Sequence, residues 1–517
     1  MTENRWVRRL VFFVLLATFY LAIPNARPDF TRFNAHDSES YLALSHSLGH
    51  GRGYTRSLIE GMYVPHKTWP PGVPVLMLPA TLLHPDHISW FAAKLTMIVV
   101  GLTGVVLCWF LVRRLTDSEG TADVAAAMLG LNPFYWDFSH QVMSEVPTIV
   151  WTFVALLLTD RAFARRRPSY LAALGVGIAA GLGMLVKGNM LGLGLIPIAY
   201  FFGPRRMEGP TSRRVSIALC YFIAFCIPFV SWSARNRDIK APGVDGVDQV
   251  HQVFASAGPG DPNYRPIGET IKQAVRIART YGVYRPAEQL VPFLGQPGAM
   301  SWPGSGWVAL GLTILIVGLC LPIPWRQQHL ALDLVILPML ALCLLFFEGG
   351  NARYWVPITL LTGVLLVLRA SRFARRWSEA SRRLAGLAAL IVAVVSLLIY
   401  VWQHERQPYE TAAPWRQLAE LFETVSGKKL DVSAVLTPNM HAFQLTAGYR
   451  APMVSTEWRP LYDSMVARTD GRTPKAPAGS VALVTVGPWA LVKLPAPMTQ
   501  TQILGDGDYS FGIRVWP

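Results

Sequence analysis

Apolar residues along this chain gather in long blocks instead of alternating with polar ones, and the blocks cover 10–23, 88–112, 121–135, 146–159, 170–186, 190–202, 215–232, 304–322, 330–347, 355–368 and 384–402. A helix rises about 1.5 Å per residue, so about 20 apolar residues cross the hydrocarbon core of a bilayer, and about eleven segments approach that length. The pattern predicts an all-α polytopic membrane protein of about eleven transmembrane helices over residues 1–402. The stretch 72–83 follows Pro70 and Pro71 and contains Pro74 and Pro79, which predicts a re-entrant or surface helix and not a crossing. Between spans, the segments 24–87 and 233–303 are long loops, and 403–517 forms a separate C-terminal region. That region carries a helical stretch at 413–425 and strand-like runs at 433–436 and 481–486, predicting a small α/β domain. Within the second long loop, Ile271, Ala274, Val275 and Ala278 form an apolar stripe opposite Lys272, Arg276 and Arg279, the pattern of an interfacial helix.

Composition agrees with the blocks: 52% hydrophobic and 15% charged residues in 517 exclude an ordinary soluble protein. The net charge of +15 has a topological cause, because alternate short loops are rich in arginine. With Arg5, Arg8 and Arg9 inside, the inside loops carry Arg113 and Arg114, then Arg161 with Arg165, Arg166 and Arg167. Next come Arg205, Arg206, Arg213 and Arg214, then Arg326, then the run from Arg369 to Arg383. This orientation predicts a bacterial inner membrane protein whose long loops and C-terminal region are extracytoplasmic. The first block also fits a cleavable signal peptide, which leaves the downstream topology unchanged. No basic stripe on a soluble face suggests nucleic acid, and attraction to membrane lipids accounts for the positive charge. Cys108, Cys220, Cys226, Cys320 and Cys343 all fall inside predicted spans, as small core residues and not as a disulfide or zinc framework.

This topology sends the chemistry-bearing residues to one side of the membrane. The first outer loop supplies His36, Asp37, Glu39 and Tyr41, then Tyr54, and ends at Lys67 and Trp69. Later outer loops supply Asp137, His140, Ser144 and Glu145, then Lys187, then Arg235 and Asn236, then Glu348, Asn351, Arg353 and Tyr354. His46 and His50 at i, i+4, and the run from His84 to His87, read as polar surface before they read as metal ligands. Neither a P-loop nor a Rossmann glycine fingerprint is present.

Asp37 and Tyr41, followed by Gly51, Gly53 and Tyr54 and by the turn Pro70-Pro71-Gly72, form a pattern with a known counterpart. The chain resembles the bacterial protein O-mannosyltransferase-like branch of the GT-C glycosyltransferases, which includes the aminoarabinose transferases acting on lipid A. Ser144-Glu145, Lys187, Arg235-Asn236, and Arg353-Tyr354 with Pro357 fit later landmarks of that family in order. The family often places a second acid directly after the first, whereas here Ser38 takes that place and Glu39 follows. The resemblance implies a GT-C fold, a polyprenyl-phosphate sugar donor, and a lipid, glycan or protein acceptor. It requires no cofactor and allows a divalent metal.

Sugar transfer from a polyprenyl phosphate needs a base for the acceptor hydroxyl and cations for the departing phosphate. Asp37 is the candidate base, with Glu145 a second catalytic carboxylate. Lys187, Arg235 and Arg353 are the candidate phosphate ligands, and Glu39, Tyr41, Tyr54, Lys67, Asn236 and Tyr354 are candidate substrate contacts. One base and in-line attack imply inversion. Each has a plainer reading: Asp37 as a helix cap, Glu145 as a first-turn acid on the helix dipole, Lys187 as a snorkelling side chain, and Arg353 as an interfacial anchor. A secondary transporter or flippase is the alternative function, and a non-catalytic envelope assembly protein a third. Transporters, however, carry paired repeats and midplane charges, and this sequence has neither.

Overall fold

The computed structural model describes residues 3–22, 35–59, 62–67, 69–82, 90–163, 168–202, 207–239, 267–282, 285–290, 311, 329–345, 352–374 and 376–405, and the strands 435–437, 453–455, 481–486, 501–504 and 510–515. The chain divides into two compact units. The first comprises Met1–Ala26, Met97–Arg235 and Asp248–Pro408; the second comprises Arg27–Thr96, Asn236–Val247 and Tyr409–Pro517.

The first unit is helical. Among the described residues, five helices are long and apolar enough to cross a membrane: Phe91–Thr116, Glu145–Phe163, Thr211–Arg237, Trp355–Ala374 and Glu379–Trp402. Tyr170–Leu185, Gly188–Phe202 and Leu330–Leu345 are shorter apolar helices, and Glu3–Ala22 precedes them all. The chain is thus a multi-pass membrane protein. The predicted segment 304–322 lies outside the described residues, apart from residue 311.

One predicted span is broken. The apolar block 121–135 is two helices, Glu119–Gly130 and Pro133–Phe138. Asn132 is the cause: its Oδ1 accepts from the amides of Phe134 and Tyr135, and Pro133 at the next position has no amide to offer the preceding turn. Ser118 and Ser169 cap the Glu119–Gly130 and Tyr170–Leu182 helices in the same way.

Close helix packing uses small residues, as expected where hydrocarbon tails remove the hydrophobic drive between helices. A Cβ added at Gly177 or Gly181 would lie 2.4 or 2.2 Å from the carbonyl oxygens of Tyr221 and Phe225, so the Tyr170–Leu182 and Thr211–Asp238 backbones touch there.

The second unit contains the first loop. The helix Ala35–Gly49 packs on the short helices Gly72–Leu76 and Leu78–Leu82, with Ser45 Oγ 3.1 Å from Thr81 Oγ1. The two short helices break at Met77, so this stretch is too short to cross, in line with its prolines. Gly51 and Gly53 adopt φ of +69° and +73°, the left-handed region that glycine occupies without a Cβ penalty. They turn the chain from the helix into an antiparallel hairpin, Thr55–Ile59 with Met62–Pro65, in register Thr55 to Pro65. In the C-terminal region Val435–Thr437 pairs in parallel with Met453–Ser455. Val481–Val486, Ser510–Val515 and Thr501–Leu504 form an antiparallel sheet with Ser510–Val515 central. The strands fall at or beside both predicted runs, while the 413–425 helix lies outside the described residues.

The amphipathic segment of the second long loop is helical over Ile267–Ile277 and continues as a π-turn, Ala278–Gly282. Ile271 and Val275 are exposed, as an interfacial helix requires.

Candidate active site

Lys187 sits where a membrane helix comes apart. The Tyr170–Leu182 helix tightens into a 3₁₀ turn at Gly183–Leu185, Lys187 is extended at φ −155°, and a second 3₁₀ stretch, Gly188–Leu195, follows. The break places the lysine between two helical pieces, and its Nζ meets Glu145 Oε1 at 2.7 Å. Glu145 opens the Glu145–Phe163 helix. Glu145 is 1% and Lys187 8% exposed, so both are buried. The second carboxylate oxygen of Glu145, Oε2, has no hydrogen-bond partner among the described residues.

Tyr354 joins this pair to a second cation. Its ring centroid lies 5.5 Å from Lys187 Nζ and 4.9 Å from the Arg353 guanidinium carbon, and Arg353 Nη2 donates to its hydroxyl at 3.0 Å. A ring close to two cations attracts them through its electron-rich faces. Arg353 and Tyr354 belong to a 3₁₀ turn, Ala352–Tyr354, that leads into the Trp355–Ala374 helix. Two cations and one carboxylate therefore gather, among the described residues, near the starts of two membrane helices. Such a cluster suits an anionic ligand.

The opposite ends of the same helices are occupied differently. Asp160 is fifteen residues after Glu145, about 22 Å along the helix, and accepts from Arg114 Nε at 2.7 Å. Arg369, near the far end of the Trp355–Ala374 helix, reaches both oxygens of Asp333 at 2.6 and 2.8 Å. These are the arginine-rich ends.

Other candidates in the first unit have structural work. Asp137 accepts from Tyr400 at 3.0 Å, and the His140 ring nitrogens lie 2.7 and 2.8 Å from the carbonyl oxygens of Trp136 and Tyr20. They fasten the Pro133–Phe138 turn to the last helix and the first. The Arg235 guanidinium stacks 4.7 Å from the Trp232 ring centroid, one turn earlier in its own helix.

In the second unit, three predicted substrate contacts converge on the turn before Pro70. Tyr54 donates to the Trp69 carbonyl at 2.8 Å, and Asn236, 3% exposed, donates to the Lys67 carbonyl at 3.2 Å. His66, which the sequence reading passed over, accepts from the Trp69 amide through Nε2 at 3.0 Å and stacks on that ring. Its only sequence signal is its place beside Lys67. Asp37 and Glu39 stand in the first turns of the Ala35–Gly49 helix, and Tyr41 is buried. His46 and His50 stack on each other, and among the described residues no three His, Cys, Asp or Glu gather as metal ligands would.

With this geometry, the chain aligns over its whole length with a glycosyltransferase structure. The apo crystal structure of ArnT from Cupriavidus metallidurans superposes with a TM-score of 0.61 over 100% of this chain and 98% of that one, at 12% identity. The structure of the same enzyme bound to undecaprenyl phosphate gives 0.59 over 98% and 97%, at 14% identity. This chain has the GT-C fold.

A second GT-C structure, the Archaeoglobus fulgidus oligosaccharyltransferase in the apo form, gives a TM-score of 0.54 over 92% of this chain and 69% of that one, at 11% identity. In sequence, residues 69–232 match the family model described as dolichyl-phosphate-mannose-protein mannosyltransferase. That match opens at Trp69 and contains Glu145 and Lys187. No curated protein sequence matches the chain. The GT-C fold thus accommodates a Lys–Glu pair, two cation-bearing helix starts and a first-loop helix carrying Asp37.

Proposed function

We propose that this protein is a membrane glycosyltransferase that moves a sugar from a polyprenyl-phosphate donor to a hydroxyl of a lipid, glycan or protein acceptor on the extracytoplasmic side. The observation that carries the reading is the buried Glu145–Lys187 pair with Arg353 on the Tyr354 ring, at the helix ends remote from the arginine-rich ones. The ArnT structure with undecaprenyl phosphate supports the class of donor.

In this reading Lys187 and Arg353, with Arg235, bind the donor phosphate and neutralise the charge that grows on it as the bond to the anomeric carbon breaks. Glu145 fixes the Lys187 ammonium in place, and its second oxygen accepts a hydroxyl of the substrate. Asp37 takes the proton from the acceptor oxygen as that oxygen forms its bond to the anomeric carbon, with inversion, a contribution worth about 10² to 10⁴ in rate. Tyr54, Lys67 and Asn236 shape the acceptor side, with Glu39 and Tyr41 nearby in sequence.

The test is transfer in reconstituted membranes from a panel of radiolabelled polyprenyl-phosphate sugars, wild type beside Asp37→Asn at equal abundance. The expected outcome is label transfer by the wild type and its loss in the variant. Transfer that survives in Asp37→Asn removes the base assignment. No turnover across the panel removes the enzyme reading in favour of a transporter or flippase.

A further inference from the structure

At the arginine-rich end of the first unit lies a cavity of about 840 Å³ that the catalytic reading does not use. It is an open groove lined by the Glu3–Ala22, Trp90–Thr116, Glu119–Gly130 and Glu379–Glu405 helices. Its volume is that of a ligand pocket, within the usual range of about 300 to 1,000 Å³.

The lining changes character with depth in the same way on three helices. The first helix contributes Arg8 and Arg9, then Phe12 and Phe13 one turn further in. The last contributes Glu379 and Arg383, then Leu387 and Leu390, which are 53% and 38% exposed. The third contributes Glu119 and Asp123, then Ala127 and Met128. A charged rim over an apolar floor is the profile of a phospholipid, headgroup above and acyl chain below. Gly120 and Gly386 also line the space, and neither would clash with an added Cβ: nothing lies within 4 Å at Gly120, and Val124 Cγ2 lies at 3.6 Å at Gly386.

The rim is balanced, with three arginines (Arg8, Arg9, Arg383) against three carboxylates (Glu119, Asp123, Glu379). Arg9 is held within the rim: it bonds Asp123 at 2.9 Å and Glu119 at 2.8 Å and lies 5.2 and 5.1 Å from the ring centroids of Trp6 and Trp109, and Arg113 also reaches Glu119 at 3.4 Å. Trp109 Nε1 also donates to Asp123 at 2.7 Å. Arg383 pairs with Glu379, on an exposed part of its helix. A balanced rim complements a headgroup that carries both signs better than one that is only anionic.

We propose that this cavity binds a glycerophospholipid with a phosphoethanolamine headgroup from the adjoining leaflet. Its phosphate lies against Arg8 and Arg383, its ammonium against Glu379 and Glu119, and one acyl chain runs along Phe12, Phe13, Leu387 and Leu390. The site rests on the membrane placement of these helices and is independent of the transfer reaction.

The experiment is native mass spectrometry of the full chain in mild detergent, loaded in turn with phosphatidylethanolamine, phosphatidylcholine and phosphatidylglycerol of identical acyl chains. The wild type is expected to retain phosphatidylethanolamine about tenfold better than the other two, as one charged hydrogen-bonding contact is worth. Gly386→Leu, which fills the apolar floor, is expected to lower that retention about tenfold, and so is Arg8→Ala with Arg383→Ala. Gly120→Leu serves as a second filling variant should Gly386→Leu not fold. Equal retention of the three lipids, preference for phosphatidylglycerol, or undiminished retention in a folded filling variant would each overturn the proposal.

Discussion

Lys187 and Glu145, 42 residues apart in sequence, meet at 2.7 Å between a broken helix and the first turn of another. A buried pair of this kind is costly to assemble and more costly to halve, because removing one partner strands the other charge. Lys187→Met alone is expected to destabilise the protein by about 3 to 5 kcal/mol and to abolish transfer. Lys187→Met with Glu145→Leu should recover most of the stability and none of the activity. Thermal unfolding and turnover on the same preparations check this, and equal recovery of both would remove Lys187 from the reaction.

Arg353→Lys keeps the charge and loses the planar fork. The expected result is a fall in kcat/KM for the polyprenyl-phosphate sugar of about tenfold to a hundredfold, from a lost charged hydrogen bond, with unchanged folding. Steady-state kinetics with a soluble short-chain donor measure it. An unchanged kcat/KM would leave Arg353 as an interfacial anchor.

Tyr354 separates ring from hydroxyl. Tyr354→Phe retains the face that Lys187 and Arg353 approach and loses the bond at 3.0 Å to Arg353. Tyr354→Leu loses both. Donor affinity, read by competition with polyprenyl phosphate, should fall about fivefold in the first and by well over tenfold in the second. Equal effects would mean that the ring contributes nothing.

At the other end, Arg369 and Asp333 are structural. Arg369→Leu is expected to lower the thermal midpoint, and Arg369→Leu with Asp333→Leu to restore it, since an apolar pair replaces a buried ionic one at little cost. Donor KM should stay the same throughout, and a changed KM in the stable double variant would contradict a purely structural role.

Much of this was legible in the sequence because membrane chains are constrained by length and charge. The apolar blocks marked the helices, and Pro70, Pro71, Pro74 and Pro79 marked a stretch that does not cross. Gly51 and Gly53, named for their place in a motif, turned out to hold left-handed backbone. The break at Asn132 was hidden, because a single polar residue inside an apolar run is a weak signal until its side chain is seen capping the next turn. Glu145 and Lys187 were each named, but their pairing was not readable, since nothing in either local pattern specifies a partner 42 residues away. Arg114 and Arg369 were counted as loop charges that set orientation, and their buried partners Asp160 and Asp333 went unnoticed. The acid Asp333, in the first turn of an otherwise apolar helix, was the available clue.

One of those pairs also bears on register. Arg114 holds Asp160 on the Glu145–Phe163 helix, and the next equivalent position along a helix is a full turn away, about 5.4 Å. Such a slip of the Glu145–Phe163 rod would carry Glu145 out of reach of Lys187. The spacing between Glu145 and Lys187 therefore depends, in whole turns, on a register held at the other end of the Glu145–Phe163 helix.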